Sequence, residues 1–404
     1  SGIPVNAMIA DETLVVTRHT GHVYAFGAGD PQPSSSTTAK PKPGPYASPR
    51  GGFALLLGWG GGQKARQLAT ADDCRVVVFE ANPSIAAEAR NRLVEQGLYG
   101  RKIQVLNTSL SDLHLTPHWA NQVLINDSDG HGSTEEVLST VLDTLRPFTG
   151  RLELRTDDRQ RAVLERLLAK RTGYALDRNG DAMLVRRLHA PEGSDDWTHE
   201  PGGPENAFAS SDRLVKWPLG LLWYSGDIDR YFTPATHFQH ERNPYPLVSD
   251  GRMFLITGHY LHAVDIYTGM YLWKTEMPRT PWIETYYFDT RYYGRATERH
   301  CALARDLFYA VTGDKINGYD TATGELRVEI EVPARFHATV ADTQKTQDYR
   351  AQGRRGKIRP VPPWSEVRLH EDLLVSVFGK HLAALDRHSG DLRWSRESTR
   401  QATA

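Results

Sequence analysis

The chain has 404 residues, of which 39% are hydrophobic and 24% are charged, and its 48 basic residues are balanced by 49 acidic ones. This length exceeds one ordinary core and fits two domains of about 150 to 250 residues each. The near-neutral charge creates no long-range field for nucleic acid or an anionic membrane, and no apolar run approaches the roughly 18 residues that cross a bilayer. We therefore expect a multidomain protein without membrane insertion and without a strong nucleic-acid signal.

The first 30 residues have the alternating pattern of β-strands. Apolar stretches at 7–10, 14–17 and 22–26 are separated by polar residues and end at Gly27. A period of two predicts three strands, and the Pro- and Ser-rich residues 31–50 have the composition of a linker. We predict that these strands begin a sheet that an insertion interrupts, and that Pro218–Tyr224 supplies its late outer strand. From the first residues alone, which have neither a basic segment nor an apolar one, we expect no targeting signal.

Residues 51–190 change to alternating strands and amphipathic helices. Phe53–Leu57 is a predicted buried strand, Gly58–Gly62 a glycine-rich turn before a helix, and Val76–Phe79 a second strand that ends at Glu80. This alternation predicts a Rossmann-like, doubly wound α/β domain. Glycines let the backbone approach a ligand at a helix N-terminus, and an acid about 20 residues further on can accept hydrogen bonds from ribose hydroxyls.

Residues 191–404 carry a repeat of the form A-x-D-x-x-[ST]-G-x-x-x-W. Two copies run from Ala263 to Trp273 and from Ala384 to Trp394, and a third, around Gly324, has Val328 in place of the tryptophan. Asp, Thr and Gly favour tight turns, and a tryptophan at the start of the next strand can pack between neighbouring sheets. The pattern predicts four-stranded propeller blades, three of them after residue 245 and about four in the whole chain.

These turns resemble the tryptophan-docking motifs of PQQ-like (quinoprotein-like) β-propellers. The stretch from Asp196 to Trp223 is similar to the start of a blade in large bacterial PQQ-like repeat proteins that carry an inserted methyltransferase-like domain. The resemblance implies an exported, periplasmic protein. About four blades do not close a ring alone, so it also implies missing blades, another protein partner, or a homodimer that completes the circle.

The resemblance does not imply PQQ chemistry. Quinoprotein alcohol dehydrogenases typically have two adjacent cysteines, whereas Cys74 and Cys301 lie far apart in this chain. We expect both to be buried thiols, and PQQ is not an expected cofactor.

The α/β segment resembles a class I S-adenosylmethionine-dependent methyltransferase, which implies S-adenosylmethionine as cofactor. The resemblance implies a cofactor-binding set made of the glycine loop, its neighbour, the ribose acid and the adenine-side loop: Gly58, Trp59, Gly60, Gly62, Glu80 and Ser109. Leu56 and Ser109 stand where that family usually has acids, and no Asp/Asn-Pro-Pro-Tyr motif follows the fourth strand. Two alternatives stay open: a degenerate insertion within a propeller scaffold, and an active methyltransferase whose propeller presents the substrate.

Four further residues invite a chemical role. Asp127 and His131 follow the fourth predicted strand, where a catalytic base would lie, but they also precede a helix N-terminus that they could cap. His237 and His240 form the best metal-ligand pair, since imidazole is a common ligand of Cu and Zn. The pair opens a third alternative, a metal-dependent redox enzyme with copper or iron. Most histidines in such a chain lie on the surface or in hydrogen bonds, and this is the favoured explanation of the pair. The aromatic and arginine-rich residues 282–295 favour a protein or polyanion surface.

Overall fold

The computed structural model describes most of the chain with gaps. The described residues are 4–10, 13–18, 23–26, 51–108, 115–126, 134–155, 157–180, 182–199, 202–205, 209–223, 246–257, 260–278, 300–312, 314–341, 364, 367–378 and 380–397. The chain divides into two compact units, residues 1–46 and 47–404. Among the described residues, no helix combines the length and the apolar character needed to cross a membrane.

The first unit contains one small antiparallel sheet. Its three strands are β1 (Pro4–Ala10), β2 (Thr13–Arg18) and β3 (Val23–Phe26), and they pair in sequence order. The alternating apolar pattern of the first 30 residues thus correctly predicts all three strands.

The second unit begins with an α/β domain built on a seven-stranded sheet. Its strands are β4 (Phe53–Leu57), β5 (Arg75–Glu80), β6 (Ile103–Asn107), β7 (Gln122–Ile125), β8 (Arg151–Arg155), β9 (Tyr174–Asn179) and β10 (Ala182–Arg187). The strand order is β6-β5-β4-β7-β8-β10-β9. Strands β4 to β8 are parallel, whereas β10 runs antiparallel to both its neighbours. The predicted doubly wound sheet is confirmed, and its order reverses between β4 and β7, where such sheets bind ligands.

Four helices cover the two faces of this sheet: α1 (Gln63–Thr70), α2 (Pro83–Glu95), α3 (Glu135–Thr144) and α4 (Asp158–Leu168). Successive side chains of β4 point to opposite faces, because a strand has a period of two. Leu55 and Leu57 enter the core that includes α3 and α4, and Ala54 and Leu56 enter the core that includes α1 and α2. The continuous apolar run of β4 is therefore explained by burial on both faces.

Three four-stranded antiparallel sheets follow. The first is β11 (Leu247–Ser249), β12 (Arg252–Thr257), β13 (Tyr260–Asp265) and β14 (Tyr271–Glu276); the second is β15 (Cys301–Leu303), β16 (Leu307–Thr312), β17 (Lys315–Asp320) and β18 (Leu326–Glu331); the third is β19 (Arg368–His370), β20 (Leu373–Phe378), β21 (His381–Asp386) and β22 (Leu392–Glu397). We call them the first, second and third blades. They confirm the three sheets predicted after residue 245, and the described sheets show no closed ring.

Tryptophans from one element dock on the glycine turn of the next blade. The Trp273 indole N–H donates to the Thr321 carbonyl at 3.2 Å, and a Cβ on Gly324 would lie 2.6 Å from that ring. Trp223 makes the equivalent contact with the first blade, donating to the Ile266 carbonyl at 2.6 Å. The repeat therefore predicts the packing of neighbouring blades correctly.

The predicted outer strand at Pro218–Tyr224 is wrong for its described residues. None of residues 218–223 lies in a strand, although Trp223 itself docks on the turn of the first blade. The stretch is held in place by the contact of the Trp223 indole with Ile266 and Gly269, and not by pairing with a neighbouring strand. Leu221 is consequently 83% exposed instead of packing as a strand residue would.

A connector between the α/β domain and the blades ties all three blades together. Trp197 and Val248 exchange backbone hydrogen bonds of 2.8 and 2.7 Å, which extends the first blade. The Leu303 N–H of the second blade donates to the Thr198 carbonyl at 2.8 Å, and the Leu369 N–H of the third blade donates to Nε2 of His199 at 2.9 Å. These bonds run from one short stretch to the first strand of every blade.

Candidate cofactor site in the α/β domain

The glycine-rich turn after β4 has the backbone conformation that only glycine adopts readily. Gly58, Gly60, Gly61 and Gly62 all have positive φ, at 87°, 53°, 73° and 76°. The turn leads directly into α1, whose N-terminus has no side-chain cap. The N–H groups of Gly58 and Gly62 donate to the backbone carbonyls of Phe79 and Trp59. The backbone of Gly60 and Gly61 remains beside the start of α1, and N–H groups at a helix N-terminus suit a polar or anionic ligand group.

The space around each glycine shows what its missing side chain is for. A Cβ on Gly62 would lie 2.0 Å from the Trp59 ring, and a Cβ on Gly58 would lie 3.1 Å from the Asn126 carbonyl oxygen. Gly61 is different, because a Cβ there would meet no atom within 4 Å. Gly62 and Gly58 therefore allow packing within the domain, while Gly61 leaves an open face above the turn.

Trp59 is a buried member of the α/β core. Its side chain is 5% exposed and packs among the residues that line α1 and α2. Only its backbone faces the site, since the Trp59 N–H donates to the Glu80 carboxylate at 2.9 Å. The structure thus places Trp59 next to the loop, as the resemblance implies, with its ring directed inward.

Glu80, at the end of β5, organises the edge of the sheet. Its Oε2 accepts from the Trp59 N–H and its Oε1 accepts from the Asn82 N–H, each at 2.9 Å. Asn82 then caps α2 by accepting from the Ser84 N–H at 2.9 Å. Each carboxylate oxygen can still accept a second hydrogen bond, so the acid is oriented by the loop and retains acceptor capacity for a ribose hydroxyl.

Two asparagines complete the carboxyl edge of the sheet. Asn107, at the end of β6, donates to the backbone carbonyls of Glu80 and Ala81 at 2.9 and 3.0 Å. Asn126 follows β7, and its side chain would lie 3.3 Å from a Cβ on Gly60. Sequence reasoning missed both as site residues. The signal was available, because the carboxyl ends of adjacent parallel strands meet at one edge.

The other residues predicted to form sites lie outside the described residues. These are Ser109, Asp127, His131, His237 and His240, and the stretch 282–295 also lies there. Among the described residues, no group of three or more His, Cys, Asp or Glu side chains is placed to hold a metal ion. Cys74 and Cys301 are buried thiols, as expected, and burial raises the pKa of Cys74.

Two buried histidines of the blade region have structural roles. Burial, reinforced by the Arg368 charge, lowers the pKa of His199 to about 4. Burial and Lys274 lower the pKa of His262 to about 4 in the same way. Nδ1 of His262 lies 2.9 Å from the Tyr271 hydroxyl. Both rings are therefore neutral near pH 7 and serve as hydrogen-bonding groups inside the fold.

A cleft of about 680 Å³ lies elsewhere on the α/β domain, lined in part by Leu115, Pro117, Asp143 and Leu222. Its residues at 115–117 precede β7, so it lies at the amino edge of the parallel strands, whereas the glycine turn follows the carboxyl end of β4. Ligands of doubly wound sheets bind at the carboxyl edge. We therefore place the candidate cofactor site at the glycine turn and not in this cleft.

Known proteins are similar to the blade region and to the α/β domain of this chain. Residues 257–404 match a PQQ-like repeat family. Its model is described as "Outer membrane protein assembly factor BamB". No curated protein matches the chain. The resemblance of the blade region to PQQ-like repeats is thus confirmed.

Solved methyltransferase structures are similar to part of the chain. TrmN from Thermus thermophilus is 21% identical over 34% of this chain and 44% of its own, with a TM-score of 0.28. Geranyl diphosphate methyltransferase, solved with GPP and sinefungin, is 15% identical over 33% of this chain and 56% of its own, also with a TM-score of 0.28. The chain spans about half the length of these two proteins. We assign a methyltransferase-like α/β fold to residues 53–187 from the strand order β6-β5-β4-β7-β8-β10-β9, and not from these scores.

Proposed function

We propose that the chain is a PQQ-like repeat scaffold or binding protein whose α/β domain binds a cofactor of the S-adenosylmethionine type. The observation that supports this proposal most strongly is the glycine turn. Three successive glycines have left-handed φ values, and the middle one, Gly61, faces open space. The left-handed φ of Gly61 favours glycine there, and the open space beside it leaves room for a ligand to approach the backbone closely.

The described residues fit such a cofactor. Gly60 and Gly61 would provide backbone N–H groups beside α1, because the N–H groups of Gly58, Trp59 and Gly62 already donate within the domain. Glu80 would accept from the ribose hydroxyls. When bound, S-adenosylmethionine supplies an electrophilic methyl group. The protein residues would bind and orient the cofactor. The Trp59 ring packs beneath the glycine turn, and Asn107 donates a hydrogen bond to the Glu80 backbone carbonyl. This is a binding role, and it does not require that the domain catalyse a reaction.

Isothermal titration of the purified chain with S-adenosylmethionine and S-adenosylhomocysteine tests this proposal. We expect binding in the wild type, loss of binding in Glu80→Ala, and unchanged binding in Glu88→Ala. Glu88 is a matched control, since it is an exposed acid on α2 that forms an i,i+4 pair with Arg92. Binding that survives Glu80→Ala would place the ligand elsewhere.

Methyl transfer itself is a second candidate function. Asn126 favours it, because this polar side chain follows β7 and lies beside Gly60 at the carboxyl edge, where an acceptor would approach a bound cofactor. Incubation with methyl-labelled cofactor measures the label transferred to the chain itself or to added protein. Transfer that Asn126→Ala reduces, while titrated cofactor affinity stays unchanged, supports catalysis. Absence of transfer leaves the scaffold function as the conclusion.

We further propose that the protein is exported and that further blades, a partner or a second copy completes the array. The first point rests on the matched family description, which names an outer membrane assembly factor. The proposal of a completed array rests on Trp394. This residue has the same position in the third blade as Trp273 has in the first, where Trp273 docks on the next blade, yet Trp394 is 40% exposed. Light scattering of the wild type and Trp394→Ala tests the homodimer. A dimer lost in the variant supports it, and a monomer in both contradicts it.

A further inference from the structure

The aspartate of each blade turn uses its two carboxylate oxygens differently. Oδ1 of each accepts two N–H groups of its own turn, at 2.8 to 3.1 Å: Asp265 from Tyr267 and Thr268, Asp320 from Ala322 and Thr323, and Asp386 from His388 and Ser389. An Asp side chain that bonds the backbone in this way stabilises a tight turn. Oδ2 of each aspartate remains for another donor.

In the second and third blades, an arginine of the blade's own fourth strand pairs with Oδ2. The Arg393 guanidinium donates to Oδ2 of Asp386 at 2.6 Å. Arg327 Nε forms a longer ion pair of 3.7 Å with Oδ2 of Asp320, while its other end pairs with Glu325 at 2.7 Å. Both arginines occupy the same structural position, the residue left unpaired where the register of the third and fourth strands shifts. A β-bulge redirects a side chain, and here it directs arginine to the turn.

The first blade has the same register shift but no arginine. The residue at the shift is Leu272, which packs against the blade core and has no group to pair with a carboxylate. Instead, Oδ2 of Asp265 accepts from Nε of Arg146 at 2.5 Å. Arg146 follows α3 in the α/β domain. In the first blade, the arginine that pairs with the turn aspartate therefore belongs to the α/β domain and not to the blade's own fourth strand.

This substitute pair is much more buried than the pairs in the other blades. The side chains of Arg146 and Asp265 are each 7% exposed, whereas those of Arg327 and Arg393 are 54% and 56% exposed. Arg146 also lies over the Tyr267 ring, with its guanidinium carbon 5.7 Å from the ring centre. Removing one member of a buried pair leaves an uncompensated charge, so the first turn depends on this contact.

We propose that Arg146 replaces the missing blade arginine, so that the turn of the first blade is complete only while the α/β domain is folded and docked on it. The α/β domain is then a structural member of the blade array and not an appendage on a linker. Its loss would expose Oδ2 of Asp265 and loosen the turn that receives Trp223.

Amide hydrogen exchange at Tyr267 and Thr268 tests this inference. Both N–H groups bond to Oδ1 of Asp265, so their protection reports on the turn. The variants are Arg146→Leu, Arg146→Leu with Leu272→Arg, and Arg166→Leu. Arg166 is the matched control, because it is an exposed arginine of the same domain that pairs with Glu135 at 2.6 Å.

We expect Arg146→Leu to accelerate exchange at the two amides by roughly 100-fold. Adding Leu272→Arg should restore most of the protection, because it supplies the arginine from the same position as in the other blades. Arg166→Leu should leave protection unchanged. Wild-type protection in Arg146→Leu would overturn the inference, as would a double variant no better protected than the single one. If Arg146→Leu fails to fold, folding of the double variant supports the inference and its failure overturns it.

Discussion

Trp273 provides a direct test of how the blades hold together. Its indole N–H bonds the Thr321 carbonyl at 3.2 Å, its ring covers Gly324, and its centre lies 5.9 Å from that of Phe254. A fully buried Trp→Ala change costs about 3 to 5 kcal/mol. Because the Trp273 side chain is only partly buried, we expect Trp273→Ala to lower the free energy of unfolding by about 2 to 3 kcal/mol.

Trp394 is the matched control for this change. It occupies the same position in the third blade, and the blade-turn glycines that the structure describes contact Trp223, Trp273 and Ile330, so none of them receives it. In the monomeric chain, Trp394→Ala should therefore cost less than about 1 kcal/mol. Urea unfolding followed by circular dichroism measures both variants. Equal losses of stability would refute the docking explanation.

Two other predictions concern the glycine turn and the connector. Gly62→Ala should lower the melting temperature of the α/β domain, because its Cβ would overlap the Trp59 ring. Gly61→Ala should lower the melting temperature less, because a Cβ there meets no neighbour. Calorimetry that finds equal losses would contradict the proposed packing of Gly62 against Trp59. His199 has an ordinary pKa of 6.5 and a folded pKa of about 4, so the stability from its neutral ring is present above pH 6.5 and lost as pH falls through 4. In His199→Gln the amide oxygen can still accept from the Leu369 N–H, but the side chain does not titrate. The free energy of unfolding should therefore depend less on pH between 6.5 and 4 than in the wild type. An unchanged slope in this range would contradict the buried, neutral state of His199.

Local patterns predicted the parts of the fold that depend on neighbouring residues. The period-two stretches, the glycine turn at 58–62 and the repeated turns at Gly269, Gly324 and Gly390 all have their expected structures. Each depends on strand alternation or on a positive φ that glycine adopts. The placement of Glu80 at the end of β5 follows from the same local reasoning.

Long-range contacts were not predictable in the same way. The bond from Leu369 to His199 and the pair of Arg146 with Asp265 join residues far apart in sequence, and no local preference encodes them. One signal was nevertheless present: Leu272 interrupts a frame that has arginine in the other two blades. A missing partner at a repeated position indicates that the donor comes from elsewhere.

The departure of Pro218–Trp223 from a strand has a similar cause. Its apolar residues favour a strand, but Trp223 is held by a hydrogen bond to the Ile266 carbonyl and by contact with Gly269. Tertiary docking therefore overrides local β-propensity in this stretch.

Titration of the wild-type chain with S-adenosylmethionine and S-adenosylhomocysteine tests the proposed function most directly. The account predicts saturable binding of about one ligand per chain with micromolar affinity, present in Glu88→Ala and absent in Glu80→Ala. Absence of binding in a wild-type chain that calorimetry shows to be folded would contradict it, and the glycine turn would then be explained by packing alone.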